Sequence, residues 1–194
     1  HFRMGTPFGE ANPDESPQRR IYLDGYWIYK YPVTVAQFRA FCEATDHKMP
    51  NLPDESSGEK HPIFQVNWHD ARAYARWAGA SLPTEAQWEK AARGVDGRRY
   101  PWGNEWKPEL NVSMAQTHGQ LRYGTRPVGS HPRGASPYGV MDMAGQVWEW
   151  VADWCGPQSY RTMRESNPSG PDRGEMKVLR GGSLNWDKTY SRNA

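Results

Sequence analysis

The residues able to do chemistry in this 194-residue sequence are few and widely spaced. Cys42 and Cys155 belong to no Cys-x-x-Cys pair, and no histidine stands at metal-ligand spacing from either. They read as two separate thiols of the buried kind cysteine favours, and a single disulfide between them stays open. The six histidines are dispersed. His61 and His69 are the nearest pair, eight residues apart across a helix start, a poor spacing for ligating one metal. Glu149 and Asp153 offer hard carboxylate oxygens that suit calcium or, equally, hydrogen bonds to backbone amides in turns. Beside them, Trp148 and Trp150 alternate as strand residues do, so one is expected in the core and the other facing a ligand groove. Trp154 continues the series.

The elements that must hold these residues are signalled unevenly. Thr34 with Gln37 three residues later makes a capping box, Val33 and Phe38 a hydrophobic staple, and Phe38, Phe41 and Cys42 share one helical face. Asn67 with Asp70 opens a second helix, whose Tyr74, Trp77 and Ala78 face one way and which Gly79 terminates. Thr84 with Gln87 opens a third, with Trp88 and Ala92 inward and Gly94 at its end. Ahead of these, Phe2-Arg3-Met4-Gly5 reads as a short strand and residues 21–28 as a strand with an Asp24-Gly25 turn or bulge. Beyond Gly94 no helical period survives. The expected class is α+β, with two or three helices in the N-terminal half, then short strands and much irregular chain. No repeat or linker divides it, so one domain over 1–194 is expected.

Composition narrows the partners. Lys+Arg 24 against Asp+Glu 22, without a run of like charge, argues against a nucleic-acid tail or a polybasic membrane anchor. No apolar stretch approaches the roughly 18–20 residues of a membrane span, and mean hydropathy is −0.94. Only 37% of residues are hydrophobic, so the ten Trp and ten Tyr must supply much of the core. The 19 Gly and 16 Pro are scattered singly among them, which reads as a folded domain rich in tight turns. The sequence opens at His1 rather than Met, and a preceding segment is expected.

Five motifs then occur in order. Residues 81–94 (SLPTEAQWEKAARG) are followed by Tyr100-Pro101-Trp102-Gly103-Asn104-Glu105 and Pro127-Val128-Gly129-Ser130. Residues 138–150 (YGVMDMAGQVWEW) and Leu179-Arg180-Gly181-Gly182-Ser183 complete the set, with Met4-Gly5 and Tyr31-Pro32-Val33-Thr34 as an N-terminal signature. Together they resemble the formylglycine-generating-enzyme, or sulfatase-modifying-factor, family over essentially the whole chain. The resemblance implies a C-type-lectin-like fold. It also implies a final Gly-Phe-Arg strand, which this sequence, ending at Ala194, does not contain.

The same resemblance bears on chemistry. Catalytic relatives carry one copper-binding cysteine three residues past the Ser of the Gly-Gly-Ser motif and another five further on. Here those positions hold Trp186 and Ser191, neither a soft ligand for Cu(I), so copper and cysteine oxidation are not expected. An iron-dependent sulfur-transfer branch uses a His-x-x-x-His-x-Glu motif that is absent. Structural calcium is implied at Asn111-Val112 and at Gly145-Gln146-Val147-Trp148-Glu149, giving Asn111, Val112, Gln146 and Glu149 as candidate ligands. Relatives often have Asn where Gln146 stands, and the acidic partner expected shortly before Pro127 is not evident. The segment that replaces the thiols is polar and aromatic, as adaptable binding surfaces are. It is also the part diversified in the variable proteins of diversity-generating retroelements. The leading expectation is a recognition domain contacting a protein, peptide or glycan through Asn185, Trp186, Asp187, Thr189, Tyr190, Ser191 and Asn193, with flanking domains. The alternatives are an enzyme using Trp186, Tyr190, Ser191 and Arg192, a partner domain of an iron-dependent sulfur-transfer enzyme, or a structural scaffold.

Overall fold

The computed structural model describes residues 1–7, 13–53, 58–111, 124–183 and 189–194. Among these residues, two small antiparallel sheets and four α-helices build a mixed α+β structure. β1 (Phe2–Met4) pairs with β2 (Arg19–Ile21), and β3 (Glu149–Trp154) with β4 (Lys177–Arg180). β3 is irregular: Trp150 lies opposite Leu179 and Trp154 opposite Lys177, with a register shift between.

α1 (Val35–Thr45), α2 (Trp68–Trp77) and α3 (Glu85–Arg93) begin at Thr34, Asn67 and Thr84. All three capping boxes form, each satisfying two otherwise orphaned N–H groups. α1 and α2 meet through Phe38, Phe41, Cys42 and Tyr74, where Phe41 and Tyr74 pack edge to face at 5.8 Å. α3 is the central post. Ala86 joins Phe2, Met4, Ile21, Leu23 and Tyr160 on one side, while Trp88, Ala91 and Ala92 join Val140, Met143 and Val151 on the other.

The buried face of α3 also carries charge. Glu89 accepts hydrogen bonds from Gly5 N–H (2.7 Å), Tyr160 O–H (3.2 Å) and Arg180 (2.9 Å), and pairs with Arg93 at 3.3 Å. Such a cluster holds because each charge lies against an opposite one; removing one leaves a buried charge at a cost of about 3–5 kcal/mol.

Three expectations are corrected. The strand expected over 21–28 pairs with β1 only as far as Ile21, opposite Phe2; Tyr22 then makes a single parallel bridge to Ser166, and Asp24 N–H is taken by the Asn167 side chain at 2.9 Å. Among the described residues, the chain past Gly94 contains one short α-helix, α4 (Ser159–Thr162), too brief to leave a period but enough to bury Tyr160. Cys42 is buried, whereas Cys155, at the end of β3, is exposed, and both thiols are free. Among the described residues no helix is long and apolar enough to cross a membrane.

Candidate functional site

The turn that leads into β3 gathers the chemistry. A cavity of about 670 Å³ lies between residues 26–33, the α2 side chains Ala71, Tyr74 and Ala75, residues 79–83, and Trp148, Glu149 and Trp150. Polar tips fix its aromatic walls. The Tyr26 hydroxyl donates to Gln87 O at 2.7 Å and the Trp150 indole N–H to Val66 O at 3.0 Å. Trp148 and Trp150 therefore line one cavity, against the expectation of opposite faces. Trp148 precedes the strand, so strand alternation does not govern it. Trp154 acts elsewhere, since the Lys177 ammonium lies 3.8 Å from its ring centroid and 4.1 Å from that of Trp68.

The C-terminal segment closes over one rim. Tyr190 meets Trp148 edge to face, centroids 6.0 Å apart at 77°. The glycines before it permit this approach. Gly182 has φ +75°, and a Cβ there would fall 2.8 Å from Tyr190 O. Arg180 donates to Asn193 O at 2.6 Å and the Asn193 amide to Arg98 O at 3.1 Å, while Arg192 pairs with Glu15 at 3.0 Å. Asn111 donates to the Ser191 hydroxyl at 3.0 Å.

The expected ligand contacts consequently divide. Thr189 and Tyr190 are exposed. Ser191 and Asn193 are not surface contacts as expected but buried anchors, their side chains bonded inside the fold. Asn185, Trp186 and Asp187 lie outside the described residues, as does Val112.

Two carboxylates of the turn and of β3, Asp142 and Glu149, lie near enough for their charges to interact. Asp142, buried, accepts Gly129 N–H on Oδ2 at 2.6 Å, and its Oδ1 has no hydrogen-bond partner. Glu149 accepts the Trp88 indole N–H at 3.0 Å. Burial pushes the Glu149 carboxyl up to about 7; the Trp88 bond opposes this and the nearby Asp142 charge adds to it. Burial raises Asp142 too. Asp142 offers one orphaned oxygen and Glu149 a second carboxylate nearby, the hard-oxygen chemistry that calcium uses. Gln146 is less suited than expected, since its carbonyl oxygen already accepts Arg126 N–H at 2.7 Å. Asn111 spends its amide N–H on Ser191. Among the described residues no three of His, Cys, Asp and Glu converge. Asp142 was missed in the sequence. Its signal was an acid followed at 145 by glycine inside the motif, where the backbone turns left-handed at 142, 145 and 146.

The sequence model of the sulfatase-modifying factor enzyme 1-like domain matches residues 1–194. The formylglycine-generating enzyme of Streptomyces coelicolor is 35% identical, over 97% of this chain and 77% of that protein. Among solved structures, PvdO from Pseudomonas aeruginosa superposes with a TM-score of 0.82 at 26% identity, covering 99% of this chain and 82% of that one. Treponema denticola variable protein 1 does so with a TM-score of 0.71 at 23% identity, covering 98% and 83%.

Proposed function

Given that the chain belongs to the sulfatase-modifying factor enzyme 1-like family, we propose that it is a recognition domain. It binds a protein, peptide or glycan in the aromatic groove and through the 184–193 segment, whose Tyr190 stands at the groove wall. The observation that carries this reading is the edge contact of Tyr190 on Trp148, which joins that segment to the groove wall. A largely apolar concavity with a few placed polar groups is the usual form of a binding site. Tyr and Trp supply rigid contact area at low entropic cost.

On this reading the fold is a C-type-lectin-like scaffold, a view supported by the two structural neighbours. Asp142 and Glu149 would hold a calcium ion, which neutralises their charge and fixes the turn carrying Trp148. Ser191 and Trp186 stand where catalytic relatives keep thiols, so no copper step is expected. Residues 184–193 are candidates for diversification, and sequencing the gene across its source population tests that; a fixed segment contradicts it.

An array of glycans, peptides and proteins, probed with the chain and with Trp186→Ala and Tyr190→Ala variants, tests the reading. Binding that both variants retain overturns it. The enzymatic alternative is favoured by the 35% identity to a formylglycine-generating enzyme. Incubation with a Cys-x-Pro-x-Arg peptide, copper and oxygen decides between them, since an aldehyde product would establish catalysis.

A further inference from the structure

Away from the groove, where the start of α2 meets the β3–β4 pair, two cations share one indole. Trp68 and Trp154 lie nearly parallel, 24° apart with centroids at 6.4 Å, and the Lys177 ammonium sits 4.1 and 3.8 Å from those centroids. The Arg72 guanidinium, one turn along α2, lies 5.2 Å from the centroid of Trp68. Backbone carbonyls anchor the stack. The Trp68 indole N–H donates to Val151 O at 2.8 Å and Lys177 to Ala152 O at 2.7 Å. Both carbonyls belong to the stretch of β3 between Trp150 and Trp154 where the register shifts. Holding that stretch accounts for Lys177 and Trp68. It does not account for Arg72.

Among the described residues the Arg72 guanidinium has neither a hydrogen-bond acceptor nor a carboxylate partner, and the same holds for exposed Arg76 one turn further on. The nearby acids are engaged elsewhere. Asp70, the one acid of α2, faces His47 at 3.0 Å, and buried Asp153 accepts Glu85 N–H at 2.8 Å. Burial lowers the Lys177 pKa, Asp153 raises it and Arg72 lowers it, so the two cations lie close enough to repel. We propose that Arg72 and Lys177 together bind one phosphate monoester group of a ligand. A guanidinium offers a planar fork of donors that matches two phosphate oxygens, and an ammonium adds a compact charge. A monoester carries about −1.5 to −2 at neutral pH, which nearly balances both cations, whereas a carboxylate leaves one unbalanced. Both cations rest on an indole before any ligand arrives, so little side-chain freedom is lost on binding. The four side chains of the stack are not among those lining the groove, so this site stands independently of what the groove binds.

Inorganic phosphate titrated into the nitrogen-15-labelled 194-residue chain, at constant ionic strength and neutral pH, tests this through the Trp68 and Trp154 indole N–H resonances. Both resonances shift and saturate, with a midpoint below about 10 mM, and chloride at the same ionic strength does not move them. Arg72→Gln weakens phosphate binding by about tenfold, and Arg72→Lys, which keeps the charge without the fork, weakens it less. Arg72 is half-buried on a helix surface, so both variants keep the thermal midpoint within about 2 °C. O-phosphoserine and glucose 6-phosphate, added in separate arms, show whether a peptide or a sugar carries the group, and at least one binds as tightly as phosphate. The proposal is overturned if the shifts stay linear or match those of chloride. Wild-type affinity in Arg72→Gln, or failure of both monoesters to bind, also overturns it.

Discussion

The ring of Tyr190 stands edge-on to Trp148, centroids 6.0 Å apart at 77°, so Tyr190 abuts the aromatic wall of the groove. Tyr190 is 43% exposed, so it can contribute to ligand contact without being part of the core. Tyr190→Ala is expected to weaken groove binding by about tenfold or more while leaving the thermal midpoint within about 2 °C, since aromatic anchors dominate interfaces and exposed truncations cost little stability. Calorimetric titration of any array ligand, paired with a melt, checks it; unchanged affinity places the ligand elsewhere.

Gly182 governs how closely that segment can lie. With φ +75° and a substituent at 2.8 Å from Tyr190 O, Gly182→Ala is expected to cost about 1–3 kcal/mol. Urea unfolding measures it. A loss below about 0.5 kcal/mol means the segment shifts freely and the close approach is not required.

The Asp142–Glu149 pair predicts a response to calcium. A cation that binds only the folded state at a hundredfold excess over its dissociation constant adds about 2.7 kcal/mol. The melting temperature therefore rises by several degrees with added calcium, falls back with chelator, and is insensitive to calcium in Asp142→Asn. A wild-type midpoint unmoved by millimolar calcium removes the site.

Glu85 and Asp153 make stability depend on pH. Asp153 accepts Glu85 N–H at 2.8 Å, and the Glu85 carboxyl faces Arg180, Asp153, Glu89 and the Tyr160 hydroxyl. Burial pushes Glu85 up to about 7 and Asp153 up to about 6. The native state thus keeps protons that the unfolded chain, with ordinary values of about 4, has released. Their contribution is complete below about pH 4 and is lost as pH rises through 6 to 7. Stability should fall between about pH 4 and 7 and level off above that, and Glu85→Gln should flatten that slope. A melt whose midpoint rises over this range, or an unaltered slope in the variant, contradicts the assignment.

How much of this was legible in the sequence varies with the range of the interaction involved. The three helices were, because capping boxes at Thr34, Asn67 and Thr84 are written within four residues. The five ordered motifs carried the family. What escaped depends on contacts between distant segments. The distant segment around Asn167 takes over past Ile21, bridging Tyr22 through Ser166 and accepting Asp24 N–H on the Asn167 side chain. Asn111 and Arg98 draw Ser191 and Asn193 inward, so two residues that read as polar surface are buried. The same distance effect hid Asp142, whose partner Gly129 and neighbour Glu149 lie on different turns. The cavity belongs to no local pattern, since residues 26–33, α2 and the turn before β3 enclose it only when folded.

Recognition in the groove is tested most directly by mapping amide exchange across the chain with and without a ligand recovered from the array. Slowed exchange is predicted at 26–31, 147–150 and 189–191, the segments that border the groove and its rim. Protection confined to other surfaces, with these three unchanged, contradicts it.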